Sequence, residues 1–296
     1  MLSGGGGTSS RMTPDLSAAI DLVENSSRLD PLVERLSALA EKLVGPRAVG
    51  NLLNGVQIGH PLHPALAQAS VGLLMSATVL DARGRDTDRD AAQALVVGGL
   101  LSAAPTVLAG LADWVHGHEQ QRRVGVVHAA VNVGGLMAYA GSVPARRRGG
   151  GRISSLVGLA ALGTGAFVGG HLGYRQALGA NHAEHVPHRA PPEWTPLCRL
   201  DELPEGELVQ RMLGDQPLAV LRRGGAVTAV SDVCSHLSAP LHEGEVFDGC
   251  IVCPWHGSTF RLDDGSVTRS PATAPLPVFE VQVADGAVRV RLPGAG

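Results

Sequence analysis

Apolar positions recur at helical spacing from Asp30 to Val44. Leu32, Val33, Leu36, Leu39, Ala40 and Leu43 recur through the segment, while Glu34, Arg35, Glu41 and Lys42 fall on other faces. The pattern predicts an amphipathic helix lying on the protein or on a bilayer surface. The alternation then stops. Four apolar stretches follow at residues 65–80, 92–111, 124–143 and 153–172, each near the roughly twenty residues that a helix needs to cross a bilayer. Beyond residue 193 the period changes again. Val-Phe-Glu-Val-Gln-Val at 278–283 and Val-Arg-Val-Arg-Leu at 288–292 alternate with period two, the pattern of half-buried strands. Further strands are expected at 218–221, 226–230 and 251–252, separated by Gly-rich turns at 223–225, 264–265 and 285–286, which suits a small antiparallel barrel or sandwich.

Small residues decide how the apolar stretches are read. Gly98, Ser102, Thr106 and Gly110 repeat at every fourth position, as do Ala130, Gly134, Ala138 and Ser142, and Ala161, Gly165, Gly169 and Gly173. Such stripes let helix backbones approach closely where lipid supplies no hydrophobic drive between helices. Pro105 inside the second stretch is tolerated in membrane helices with a kink. A buried soluble bundle is the competing reading. The expected architecture is multidomain: an all-α four-helix transmembrane bundle followed by a small all-β domain. Its expected boundaries are a mobile tail at 1–28, the amphipathic helix and bundle at 29–186, a His- and Pro-rich linker at 187–192 and the β domain at 193–296.

Composition agrees with this division. Aromatic residues make up 3% and charged residues 17% of the chain, against about 25% charged in typical soluble domains. A net charge of −3 argues against a nucleic-acid partner. Residues 1–28 lack the basic, apolar and cleavage regions of a secretory signal. No catalytic triad or paired-carboxylate site is evident. The glycine runs at 4–7 and 149–151 lack the strand-loop-helix context and the Lys of a phosphate-binding loop.

The chemistry is concentrated in Cys234-Ser235-His236 and Cys253-Pro254-Trp255-His256. Two Cys and two His, one of each per loop, suit two irons held unequally, thiolates on one and imidazoles on the other. The His-ligated iron then carries less negative charge and accepts an electron more readily. A structural zinc site uses the same residue types but pairs Cys with Cys and His with His. Cys250 and Cys253 form a C-x-x-C that lacks the context of a thioredoxin-like motif. Cys198 and Cys250 read as small buried hydrophobes, with a disulfide between them left open.

The stretches Cys234–Gly244, Val252–Phe260, Asp264-Gly265 and Ser270-Pro271-Ala272 resemble the Rieske 2Fe-2S family, most closely the ferredoxin-type branch that serves ring-hydroxylating oxygenases and some nitrite reductases. The resemblance implies a 2Fe-2S cluster with Cys234 and Cys253 on one iron and His236 and His256 on the other. It also implies a reductase or oxygenase-like redox partner. Members of the cytochrome bc type carry an extra Cys in each ligand loop and a Tyr after the second His. Here 237–240 holds no Cys, Trp255 stands between Cys253 and His256, and Phe260 takes the place of the Tyr. Fewer hydrogen bonds to sulfur imply the low end of the Rieske potential range, near about −150 mV.

His60-Pro61-Leu62-His63-Pro64, Gly110–Trp114, Gly125–His128 and Gly169–Gly173 resemble an uncharacterised bacterial integral-membrane family with an HPLHP signature. Antiparallel helices would bring His60, His63, His116, His118, His128 and His171 towards one membrane face. His128 and His171 lie inside apolar helices, where ionisable groups are costly and default to function. They are expected to hold a b-type haem, with His60, His63 and His116 as an alternative metal site. Arg83, Arg85 and Arg89 in one loop, and Arg146, Arg147, Arg148 and Arg152 in another, favour the cytoplasm for those loops and the outside for both termini. The function expected is a membrane-anchored one-electron carrier. The alternatives are a membrane oxidoreductase relaying electrons to haem, metal or quinone in the bundle, and a redox-sensing binding module.

Overall fold

The computed structural model describes residues 16–146, 148 and 150–293. Helix α1 (Leu16–Glu24) opens the described chain. Its Ile20 is buried with Val124, Val168 and Leu172. Asp21 pairs with Arg175 at 3.0 Å, and Arg123 donates to the Glu24 carbonyl at 3.0 Å. Part of the expected mobile tail is therefore a docked helix, because an apolar face and two acidic side chains find partners on the bundle. Residues 1–15 of that expected tail lie outside the described residues.

Helices α2 (Asp30–Val44) and α3 (Arg47–Asn54) follow. α2 buries Val33, Ala40 and Val44 against Ala112, Trp114 and Val115, and Arg123 grips Asp30 with both arms of its guanidinium at 2.6 and 2.8 Å. Its leucine row, Leu32, Leu36, Leu39 and Leu43, stays 38–56% exposed. The helix thus rests on the protein through its smaller apolar side chains and turns its leucines outward.

Helices α4 (His63–Arg83), α5 (Arg89–Trp114), α6 (Glu119–Arg146) and α7 (Arg152–Gly170) form the bundle. Among the described residues, His63–Arg83, Asp86–Trp114, Glu119–Arg146 and Arg152–Arg175 are long and apolar enough to cross a membrane. Only 22–28% of each apolar window is buried in the protein. Met75, Val79, Leu101, Met137, Ile153 and Phe167 point outward, the reverse of a water-soluble bundle, which buries such side chains. α4 packs mainly on α5, and α6 mainly on α7. Glycine makes this closeness attainable: a Cβ on Gly99 would meet Leu74 at 2.6 Å, and one on Gly158 would meet Tyr139 at 2.6 Å. At the end remote from the β domain, Asp81 and Arg146 form a buried ion pair completed by Ser155, whose hydroxyl donates to Asp81 at 2.7 Å.

The expected linker is also structured. Helix α8 (Val186–Arg189) runs into it, and Ala190, with Ala183 and Val186 just before it, joins a core with Leu203, Val220, Phe279 and Val290. Among the described residues, ten strands build the β domain: β1 (Thr195–Arg199), β2 (Leu208–Leu213), β3 (Gln216–Arg223), β4 (Ala226–Ser231), β5 (Glu245–Phe247), β6 (Cys250–Val252), β7 (Thr259–Arg261), β8 (Val267–Arg269), β9 (Val278–Ala284) and β10 (Ala287–Arg291). They form an antiparallel sheet of order β1-β10-β9-β4-β3-β2 and a smaller one of order β5-β6-β7-β8. One ligand loop leads from β4 of the larger sheet to β5 of the smaller one, and the other joins β6 to β7 within the smaller sheet.

Candidate metal centre

The loop after β4 presents Cys234 and His236, and the β6–β7 turn presents Cys253 and His256. Each is a tight turn closed by its cysteine. The Cys234 carbonyl accepts from Ser238 N at 2.9 Å while Cys234 N donates to Ala239 O at 3.0 Å. Cys253 N donates to Ser258 O at 2.8 Å, and the Cys253 carbonyl accepts from Gly257 N at 3.1 Å. Gly257, at φ 71°, supplies the left-handed step that a residue with a Cβ resists. Ser235 and Ser258 tie both turns to the segment 272–274: Ser235 Oγ donates to Ala274 O at 2.7 Å, and Ala272 N donates to Ser258 Oγ at 3.0 Å.

Both thiols sink into the core of the smaller sheet, at 0% exposure for Cys234 and 3% for Cys253, among Leu241, Ile251, Phe260 and Ala272. A hydrogen bond between the two thiols holds Cys253 down to about 6 and, with burial, pushes Cys234 up. The two sulfurs therefore face one another. The imidazoles of His236 and His256 stand 5.1 Å apart between ring centres, at 88° to each other. Burial pushes His236 down to about 3 and also lowers His256, so both rings are neutral, the form that binds metal. Two imidazoles on one tetrahedral metal with bonds of about 2.0–2.1 Å have ring centres roughly 5 Å apart. The donors thus come as a thiol pair beside an imidazole pair. That arrangement suits a binuclear cluster with unlike ends.

An anchoring network beneath the first loop was not legible in the sequence. Asp232, 2% exposed, accepts from His242 N and Nδ1 at 2.6 Å each and from Gln210 Nε2 at 2.7 Å. It fixes the loop between Cys234 and Gly244 by a carboxylate that no spacing rule singles out.

The helical domain closes over the imidazole end. His116, in the turn between α5 and α6, has its ring centre 6.5 Å from that of His236 and 6.0 Å from that of His256. His118 approaches Trp255 at 6.1 Å. Burial beside these rings pushes His116 down to about 4. A cleft shared by Asn54, Pro61, Asp113, Ser235 and His236 continues the contact. α3 straps the domains together: Asn51 Nδ2 donates to Thr268 O at 3.0 Å, Ser270 N donates to Asn51 Oδ1 at 2.9 Å, and Arg47 donates to Thr268 O at 3.0 Å. His236 is consequently 8% exposed, while His256 is half-buried and Trp255 is 48% exposed.

The other sequence-selected histidines are dispersed. His60 is exposed, with Nδ1 near Pro61 O at 3.1 Å. His171, paired by expectation with His128, instead bonds Glu24 of α1 through Nε2 at 2.5 Å, since α1 docks where the sequence suggests a free tail. His128 faces His63. Cys198 and Cys250 are both free thiols, half-buried on β1 and β6.

The Rieske 2Fe-2S domain family matches residues 193–280, and the family described as "Predicted membrane protein (DUF2231)" matches residues 59–187. Over 100 residues the chain is 40% identical to the anthranilate 1,2-dioxygenase ferredoxin subunit of Burkholderia cepacia, covering 34% of this chain and 93% of that protein. It is 39% identical over 98 residues to ferredoxin CarAc of Metapseudomonas resinovorans, covering 33% and 92% respectively. The 3-phenylpropionate/cinnamic acid dioxygenase ferredoxin subunit of Shigella flexneri is 36% identical over 99 residues, covering 33% of this chain and 92% of that protein.

Proposed function

Because this chain belongs to the Rieske 2Fe-2S family and carries a predicted membrane protein domain ahead of it, we propose that it is a membrane-anchored one-electron carrier. The observation that carries the reading is the neutral imidazole pair at 5.1 Å beside two buried thiols. Cys234 and Cys253 hold one iron, and His236 and His256 hold the other. Bound there, a 2Fe-2S cluster takes up and gives back a single electron, mainly on its His-ligated iron.

The chain's own residues do the rest. The smaller sheet keeps the thiols dry, and the Asp232 network fixes the first ligand loop. The bundle fixes the carrier to the bilayer, and its arginine-rich loops set those ends in the cytoplasm and the β domain on the opposite side. With His236 covered, the exposed edge at Trp255 and His256 is the face open to a soluble partner of the reductase or oxygenase class. The three relatives, two dioxygenase ferredoxin subunits and one ferredoxin, support that class. Trp255→Ala in the intact chain should slow reduction by a ferredoxin reductase about tenfold while leaving iron and sulfide content unchanged, since exposed aromatics anchor such contacts at about 1–2 kcal/mol. Unchanged reduction kinetics would remove this edge as the port.

A further inference from the structure

A device repeated in the two helical hairpins carries the inference. In the α4–α5 hairpin, His63 Nδ1 donates to Thr106 O at 2.9 Å. Four residues on, Gly110 leaves room for the ring: a Cβ there would meet His63 Nδ1 at 2.8 Å. In the α6–α7 hairpin, His128 Nδ1 donates to Gly165 O at 2.9 Å. Again four residues on, Gly169 clears the ring, since a Cβ would meet His128 Cε1 at 2.9 Å. Each hairpin thus seats one imidazole from its first helix in a notch of its second, clamped by a backbone carbonyl.

A carbonyl only accepts, so each Nδ1 bears the proton and Nε2 is left as the acceptor of each ring, with Asn132 Nδ2 standing 3.4 Å from that of His128. Metal-ligating histidines are held in this way, the distal N–H given to a backbone carbonyl or carboxylate. The two rings meet across the interface between the hairpins with centres 6.3 Å apart and planes at 76°. Two imidazoles at opposite poles of one iron, bonded at about 2.0–2.1 Å, have ring centres roughly 6 Å apart. We propose that His63 and His128 are the axial ligands of a haem held between the two hairpins of the bundle.

The electrostatics select haem over a bare cation. Among the described residues no third His, Cys, Asp or Glu converges with these two. A divalent ion on two neutral imidazoles in a hydrocarbon environment would keep its charge uncompensated. A porphyrin brings two negative charges of its own to the iron and needs from the protein only the axial pair. The site lies close to the β domain, because Pro61, two residues before His63, lines the same cleft as His236. One electron passing from the reduced cluster to ferric haem reoxidises the cluster and yields ferrous haem, with no proton transferred.

The test is spectroscopic and uses the full chain, purified in detergent after expression with added haem precursor. Wild type should give about one haem per chain by pyridine haemochrome and a low-spin bis-imidazole spectrum. His63→Ala and His128→Ala should each lose most of the haem, His63→Met should retain it with an altered ligand field, and His171→Ala should resemble wild type. The visible spectrum of the iron-sulfur cluster, read in the same samples, reports whether each variant has folded and keeps the result independent of the carrier assignment. Haem absent from wild type, zinc or copper present there instead, or an unchanged haem spectrum in cluster-bearing His63→Ala and His128→Ala would each overturn the proposal.

Discussion

The ring of His116 stands 6.0 Å from that of His256, so a side chain of the helical domain borders the imidazole end of the metal centre in the β domain. His116 itself is half-buried at this contact, and that burial pushes it down to about 4. One-electron reduction adds a negative charge to this end, and water stabilises that charge better than a packed interface does. His116→Ala should therefore admit water and raise the reduction potential by roughly 40 mV, equivalent to about 1 kcal/mol for one electron. A redox titration followed by visible absorption reads the shift, and a fall in potential would contradict this account of the cover.

Asn51 uses both ends of its amide across the domain junction, donating to Thr268 O and accepting from Ser270 N. Removing both bonds in Asn51→Ala should loosen the junction by about 1–2 kcal/mol. Amide exchange around 268–270 should quicken several-fold while iron content stays constant. Unaltered exchange would mean that Arg47 alone holds the strap.

Asp30 answers to pH. The hydrogen bond from Arg123 holds its carboxyl below the ordinary value. A depressed carboxyl contributes stability that is present above its unfolded value of about 3.9 and is lost as pH falls through the folded one. The α2 contact should accordingly be constant from neutral pH to about pH 5 and weaken below about pH 4. Asp30→Asn should lower the thermal midpoint at neutral pH and reduce its acid dependence. An Asn variant with the wild-type profile would show that the pair does not anchor α2.

His256→Cys replaces a neutral ligand by an anionic one on the reducible iron. The potential should drop by more than about 100 mV, in the direction of the roughly −400 mV of all-cysteine ferredoxins. The same titration measures it. A variant that loses its cluster is read from iron content, and His236→Cys then serves as the second variant.

Both halves of the fold were legible because their periods differ. The uninterrupted apolar runs of α4 to α7 and the alternation in β9 and β10 each record one environment along the whole element. β7 and β8 were not legible, since three-residue strands such as Thr259–Arg261 are too short to display a period. β2, Leu-Val-Gln-Arg-Met-Leu, pairs along its length with β3, and this tertiary pairing outweighs its mixed local preference. α1 and α8 were hidden among Gly-, Ser-, His- and Pro-rich neighbours. The four ligand candidates stood out because each of two Cys is followed by a His two or three positions on. The contacts of His116, Asn51 and Asp232 join residues distant in sequence or of commonplace type, so no local pattern announces them. The pairing of His128 with His63, and of His171 with Glu24, likewise depended on where α1 docks and how the hairpins face each other.

The central claim is tested most directly by the metal and sulfide content of the detergent-purified chain, matured in a host that assembles iron-sulfur clusters, together with its EPR spectrum before and after dithionite reduction. The account predicts about two irons and two acid-labile sulfides per chain, silent when oxidised and paramagnetic after uptake of one electron. Zinc with no labile sulfide, or a chain that remains EPR-silent under reduction, would contradict it.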